Sequence, residues 1–311
     1  MPDQKSVLDA IGNTPIVELR RIVPPGSARV IAKLESANPT GSMKDRMARA
    51  IVERAAAAGR LPPGGTVVEY TAGTTGISLA FVCSALGFKS HFVFSDAFSD
   101  EKRYTMRAYG GEITDVPSGS GTITEQLIKT MIAAAAEISR RPGHWWADQL
   151  NNEDGEAGYL PLGEEIWEQT GGRVSAFVQA VSTAHSIHGT ARALRHHDRR
   201  VRVMAVEPAE SAVLSGKPSG SHKIEGIGIG FVPPLWRPDE VDEILTVTTD
   251  DAKAMARRLA KEEGIFAGPS TGANVVGALW VAERLGPDAT VATIVVDSGL
   301  RYSSTDVFRT V

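Results

Sequence analysis

A lysine stands in the run Asn38-Pro39-Thr40-Gly41-Ser42-Met43-Lys44-Asp45-Arg46, between a stretch that reads as a strand and one that reads as a helix. Pro39 and Gly41 force a turn, and Ser42 is of the type that caps a helix N-terminus. Lys44 therefore falls in or beside the first helical turn, where the partial positive charge of the helix end disfavours an ammonium. A lysine that holds its proton weakly is a nucleophile toward aldehydes. On this run alone, a solvated surface lysine is the commoner reading.

Four other loops carry residues with chemical potential. Glu69-Tyr70-Thr71-Ala72-Gly73-Thr74-Thr75-Gly76 again lies between strand and helix, with hydroxyls and glycines where backbone N–H groups point outward. Such a turn suits a carboxylate or a phosphate, and an ordinary capped turn is as good a reading. Ser182-Thr183-Ala184-His185-Ser186-Ile187-His188-Gly189 offers a second anion seat of the same kind. His185 and His188 are three apart and can share a helix face, but no third ligand accompanies them, so a metal is not expected. In Gly226-Ile227-Gly228-Ile229-Gly230 the alternating glycines let a backbone approach a flat ligand. Asp297-Ser298-Gly299 directly follows the last strand.

These loops need a frame. Apolar periodicity predicts strands over 30–34, 66–70, 91–95, 112–116, 174–178, 201–206, 244–247 and 290–296. It predicts helices over 45–58, 76–86, 100–109, 123–139, 156–169, 187–196, 250–263 and 272–285, with 216–234 irregular. Strand and helix alternate, which implies an α/β fold with parallel sheets and helices on both faces. Ligands on such sheets bind beyond the carboxyl ends of the strands, where all five loops fall.

The composition is ordinary for an α/β protein and excludes no function. The 311 residues suffice for two domains or one large one. The net charge of −4 comes without a long basic run, so nucleic acid is not an expected partner. The Arg/His-rich stretch 195–202 reads as a solvated helix end. Cys83 is the single cysteine and excludes a disulfide framework within the chain. It reads as a buried core thiol in a chain suited to a reducing compartment. The start, Met-Pro-Asp-Gln-Lys-Ser, has no apolar h-region behind it, so no signal peptide is expected. The charge-poor stretches 70–88 and 264–282 contain too many Gly, Ser and Thr residues for membrane spans, and read as a loop entering a buried helix.

Together with Ile11-Gly12-Asn13-Thr14-Pro15 near the start, the five loops resemble the cysteine synthase (O-acetylserine sulfhydrylase) family of fold type II pyridoxal 5'-phosphate (PLP) enzymes. The resemblance runs from about residue 8 to 305. It implies a tryptophan-synthase β-subunit-like fold: two three-layer α/β/α domains with mainly parallel sheets and the active site between them. A smaller, mobile substrate-binding domain would span 37–148, and a larger PLP-binding domain 1–36 with 149–311.

The resemblance also implies roles. Lys44 would form the internal aldimine with PLP and act as base and acid. Thr71, Ala72, Gly73, Thr75 and the backbone of Gly76, with Gln149, would hold the substrate carboxylate. Thr74 would stand at the 3'-oxygen of PLP, and Ser182, Thr183, Ala184, His185 and Ser186 would cradle its phosphate. Gly228 would lie near the cofactor. Ser298 would hydrogen-bond the pyridine nitrogen, and a neutral group there tempers carbanion stabilisation and favours β-elimination. The implied reaction is β-replacement on an O-activated L-serine through an aminoacrylate, with O-acetylserine as substrate and sulfide as nucleophile. A cytoplasmic homodimer is implied, with an acyltransferase C-terminal peptide as a possible partner and no metal.

The chain departs from the family in two loops. The family's Gly-Thr-Gly-Gly-Thr-x-Thr-Gly is replaced by Ser182 to Gly189, so Ala184 and His185 add β-carbons and the backbone is expected to bend differently. A protonated His185 or His188 is the expected compensation, pairing with the phosphate. In the family's Thr-Ser-Gly-Asn-Thr-Gly, Ala72 and Thr74 replace serine and asparagine. The departures leave two alternatives: β-replacement with a non-sulfide nucleophile in a specialised pathway, or a non-catalytic relative that binds a partner's C-terminal peptide. The stretch 222–231 has no arginine for a phosphorylated serine, which favours the acetylated one.

Overall fold

The computed structural model of the chain describes residues 6–119 and 121–309; residues 1–5, read above for a leader, and residues 120, 310 and 311 lie outside them. In chain order the strands are β1 (Ile16–Leu19), β2 (Arg29–Leu34), β3 (Thr66–Tyr70), β4 (Lys89–Ser95), β5 (Glu112–Val116), β6 (His144–Trp146), β7 (Ala176–Ala180), β8 (Arg202–Pro208), β9 (Glu243–Val247) and β10 (Thr290–Val295). The helices are α1 (Lys44–Ala57), α2 (Thr74–Leu86), α3 (Asp100–Ala108), α4 (Glu125–Ser139), α5 (Asp154–Ala157), α6 (Leu160–Gln169), α7 (His185–His197), α8 (Thr249–Arg258) and α9 (Pro269–Leu285).

Two parallel sheets result, as the strand–helix alternation implies. One has the order β1-β2-β10-β7-β8-β9, the other β5-β4-β3-β6. Only β1 runs antiparallel, pairing Ile16 with Lys33 at the edge of the first sheet. β7 and β10 are buried along their whole length, in keeping with the unbroken apolar runs of strands covered on both faces. The parallel ladders β2·β10 and β10·β7 bring the carboxyl ends of three strands together. The loops that leave those ends, 38–44, 181–184 and 296–299, therefore converge.

The charge-poor stretches become the buried helices α2 and α9. No helix among the described residues is long and apolar enough to cross a membrane. Cys83 is buried in α2, and desolvation pushes its thiol up to about 12, so it is an inert core group. The Arg/His stretch closes α7 at the surface, with Arg195 on Asp242 and His197 on Glu164.

Some elements differ from the sequence expectation. The helix expected over 156–169 is two helices, broken at Gly158 and Tyr159. α1 packs closely at this break: a β-carbon on Gly158 would come within 2.4 Å of the Arg46 carbonyl, so only glycine fits there. β6 is only three residues long, and its two tryptophans read as a loop. β1 is four residues long and alternates too briefly for a period to register. α2 begins at Thr74, two residues early, because Gly73 takes φ +118° and turns the chain into the helix at once.

Candidate active site

Lys44 is the first residue of α1, and its position is over-determined. The Met43 N–H donates to the Val296 carbonyl at 3.0 Å, and the Ser298 N–H to the Gly41 carbonyl at 2.9 Å, tying the lysine's turn to the end of β10. Ser42 Oγ accepts from the Lys44 N–H at 3.2 Å. The Thr40 hydroxyl and N–H both donate to Asp45, and Arg46 grips Glu35 and Glu165 through paired contacts of 2.7–2.8 Å. The side chain is 8 % exposed. Burial lowers its pKa from 10.5 to about 8, and the nearby Glu69 pulls it back up in part. The helix-end argument thus pointed in the right direction, but desolvation is the main cause.

Glu69 is the carboxyl whose field reaches this lysine. Its carboxyl accepts from the N–H groups of Tyr70 and Gln149 at 2.9 and 2.8 Å, and burial pushes it up to about 8. Gln149 is locked at both ends: its amide donates to the Tyr70 carbonyl, and its oxygen accepts the Thr75 hydroxyl at 2.9 Å. The β3–α2 loop folds on Thr71, whose Oγ1 accepts from the N–H groups of Gly73 and Gly76 at 2.9 and 3.0 Å. With its oxygen engaged twice, the Thr71 hydroxyl is a polarised donor. The free N–H groups at the start of α2 point the same way, so the loop is an anion seat. Ala72 and Thr74 line the same cleft.

The second anion seat is the start of α7. Ala184 takes φ +72°, the left-handed conformation that costs a non-glycine residue about 1–2 kcal/mol. The added β-carbon has therefore not moved this backbone out of the glycine-like region. The expected pairing of a histidine with phosphate is overturned. His185 is buried, with Nδ1 2.9 Å from Thr183 Oγ1 and Nε2 2.8 Å from the Asn152 carbonyl. Burial, with Lys44 nearby, lowers its pKa to about 3, so the ring is neutral. His188 accepts the Arg237 N–H on Nε2 and faces Glu240 with Nδ1, and burial lowers it to about 4. What remains for an anion is the N–H groups of α7's first turn and the hydroxyls of Ser182 and Ser186. Ser186 Oγ is held by the Gln179 amide.

The glycines of the third loop all have positive φ: +93° at Gly226, +62° at Gly228 and +86° at Gly230. Gly226 and Ile229 line the cleft. Gly228 stands behind it, bonded to the ends of β7 and to His222, and a β-carbon there would meet Pro208 at 2.6 Å. Ser298 Oγ accepts from the Leu300 N–H at 3.3 Å.

Sequence reasoning passed over Lys102 and Glu225. Lys102, on α3, lines the cleft and forms an ion pair of 2.5 Å with Glu225 from the glycine loop. The two side chains are 1 % and 13 % exposed. In sequence, Lys102 sits in the charge-rich Asp100-Glu101-Lys102-Arg103, which has the composition of a solvated helix. The signal for burial was its spacing of four from Met106, a fully buried residue.

Lys44, Tyr70, Thr71, Ala72, Thr74, Thr75, Lys102, Gln149, Ser182 and Thr183 thus meet in one cleft. It encloses about 70 Å³. A roomier hollow of about 560 Å³ lies beside Ile11, Arg49 and Leu160, but its one buried cation, Arg46, is already saturated by carboxylates. The donor set at the cleft fits PLP: a buried amine of low basicity for the aldehyde, and a helix N-terminus with hydroxyls for the phosphate. No cluster of potential metal ligands occurs among the described residues.

Comparison with known proteins points to the same chemistry. The family model described as pyridoxal-phosphate dependent enzyme matches residues 7–297. A cysteine synthase of Staphylococcus aureus is 39 % identical over 305 residues, covering 97 % of this chain and 96 % of the relative. The crystal structure of a cysteine synthase from Entamoeba histolytica superposes with a TM-score of 0.91 at 36 % identity, covering all of this chain and 93 % of that one. An O-ureido-L-serine synthase superposes equally well, with a TM-score of 0.91 at 38 % identity, covering 99 % of this chain and 96 % of that one.

Proposed function

The chain belongs to the pyridoxal-phosphate dependent enzyme family, and from that premise we propose that it makes L-cysteine by β-replacement on an O-activated L-serine, with O-acetylserine as substrate and sulfide as nucleophile. The observation that carries this reading is Lys44: a buried amine with a pKa near 8, held between two anion seats. When bound, PLP supplies an aldehyde for that amine and an electron sink for the bonds at the substrate's α-carbon.

The chain's own residues do the rest. The α7 N-terminus would hold the phosphate through the hydroxyls of Ser182 and Ser186 and the backbone N–H groups of Thr183, Ala184 and His185. Thr71, Ala72, Gly73, Thr75 and Gln149 would hold the substrate carboxylate, and Thr74, which lines the same cleft, would serve the cofactor's 3'-oxygen. With the cofactor bound, Lys44 Nζ would be the base for the substrate's α-proton, the step that lets acetate leave the β-carbon and sulfide take its place. The neighbouring glycine loop with Gly228, and the Lys102–Glu225 pair beside it, close the cleft against water.

In this reading residues 37–148 form the smaller unit that moves against 1–36 and 149–311. The protein works as a cytoplasmic homodimer, and the carboxylate seat also suits the C-terminal peptide of an acyltransferase partner. A second reading, a non-sulfide nucleophile, is favoured by Thr74 in place of the family asparagine and by the likeness to an O-ureido-L-serine synthase.

The test is product analysis with the purified protein, O-acetyl-L-serine, and sulfide or a panel of other nucleophiles. Cysteine as the fastest-formed product supports the reading. A faster reaction with another nucleophile supports the second. No reaction of O-acetyl-L-serine with any of them contradicts both and leaves a non-catalytic peptide binder.

A further inference from the structure

Two lysines line the cleft, Lys44 and Lys102, and no carboxylate among the described residues lines it with them. Lys102 is the third residue of α3 and is buried. Its stem lies across the carboxylate-binding loop. A β-carbon on Gly73 would come within 2.3 Å of Lys102 Cδ, so glycine at that position lets the stem cross. Lys102 Nζ makes one hydrogen bond among the described residues, to Glu225 Oε2 at 2.5 Å, and lies 4.7 Å from the centre of the buried Tyr302 ring. An ammonium carries more N–H groups than one carboxylate and one ring face can occupy. Arg46, by contrast, is divided between two carboxylates. Lys102 lines the cleft and Glu225 does not, so the pair turns its positive end toward the ligand side. With Lys44 committed to the cofactor, Lys102 is the remaining cation of the cleft wall.

We propose that Lys102 determines the class of nucleophile this chain accepts: its free N–H holds a small monovalent anion, hydrosulfide in the sulfide reaction, against the cleft wall. This rests on the reading of the cleft as the site of β-replacement. No bond forms or breaks at Lys102; the ammonium keeps its proton and contributes one charge-assisted hydrogen bond. An anion entering a buried cleft loses its water, and a fixed cation offsets that loss. Glu225 tempers the attraction by neutralising much of the ammonium's charge, so the anion is held loosely enough to move on to the β-carbon. A neutral nucleophile gains nothing from the contact. The pair therefore acts on which second reactant enters, while Thr71, Thr75 and Gln149 act on the first.

The test uses the full-length, PLP-loaded protein and reads kcat/KM for sulfide with O-acetyl-L-serine as first substrate. Lys102→Met keeps a stem over Gly73 without the charge and should lower that value by roughly tenfold or more, with Lys102→Arg restoring most of it. Glu225→Gln breaks the same bridge but leaves the ammonium uncompensated, so it should lower the KM for sulfide instead. A bridge that only fastens α3 to the glycine loop predicts losses in both variants, and that result overturns the proposal. A second arm needs neither a variant nor turnover: wild-type crystals soaked in bromide, read by anomalous diffraction. Bromide within hydrogen-bond distance of Lys102 Nζ is the expected result, and its absence there overturns the proposal. A wild type that is inert toward sulfide yet holds bromide at Lys102 contradicts the sulfide reading and leaves the anion site standing.

Discussion

Thr183 Oγ1 and His185 Nδ1 lie 2.9 Å apart at the head of α7. Because the Asn152 carbonyl can only accept, His185 must carry its hydrogen on Nε2, and Nδ1 must accept the Thr183 hydroxyl. The pair spends both ring nitrogens and the threonine's hydrogen inside the protein. An anion at this turn is thus met by backbone N–H groups and by Ser182 and Ser186, with no histidine charge.

That neutrality makes the fold acid-sensitive. The His185 pKa is about 3 in the fold and 6.5 in a free side chain. Between those values the unfolded chain binds a proton that the folded chain does not, so stability falls as pH drops from 6.5 toward 3. The slope is about 1.4 kcal/mol per pH unit. His185→Gln keeps a donor for Asn152 and an acceptor for Thr183, and should remove about one proton from the slope. Denaturant unfolding across pH 4–7 checks this; equal slopes contradict it.

Ala184 stores strain at φ +72°. Ala184→Gly relieves about 1–2 kcal/mol of it and returns about 0.4–1 kcal/mol as extra freedom of the unfolded chain. The net expectation is a gain of roughly 0.5 kcal/mol in unfolding free energy. A loss of stability on this substitution contradicts the account of the turn.

Lys102 and Glu225 join α3 to the glycine loop through a buried pair. Lys102→Gln leaves the carboxylate without its cation and should lower stability by roughly 3 kcal/mol. Adding Glu225→Gln should restore most of that loss, because the unpaired charge is then gone. Urea midpoints of the two variants and of the double variant measure the coupling; additive losses contradict it.

Lys44 attacks an aldehyde only as the free amine. With its pKa lowered to about 8, capture of PLP by the cofactor-free protein should accelerate about tenfold per pH unit below 8 and level off above it. Stopped-flow absorbance gives the profile. A rate that keeps rising toward 10.5 would show an ordinary, solvated lysine.

Much of this was legible in the sequence because parallel strands read as apolar runs and glycine-bearing loops follow them. The turn at Gly41, the helix start at Lys44 and the anion seats at Thr71 and Ser182 are local signals, and the structure brings them to one cleft. What stayed hidden depends on contacts between distant elements. Lys102 looks solvated until Glu225 meets it, and the His185 protonation state is decided by Asn152, 33 residues away. The placement of Asp297 and Ser298 is set by a bridge to Ser42 and by Tyr302. Nothing in Asp297-Ser298-Gly299 as a string says which side chain turns inward.

The central claim is the link between Lys44 and the cofactor, and the visible absorption spectrum of the purified protein tests it most directly. A coloured protein whose band is abolished by sodium borohydride, and absent in Lys44→Ala supplied with PLP, is the expected result. A wild type that stays colourless in excess PLP, or a Lys44→Ala variant with the same band, would contradict it.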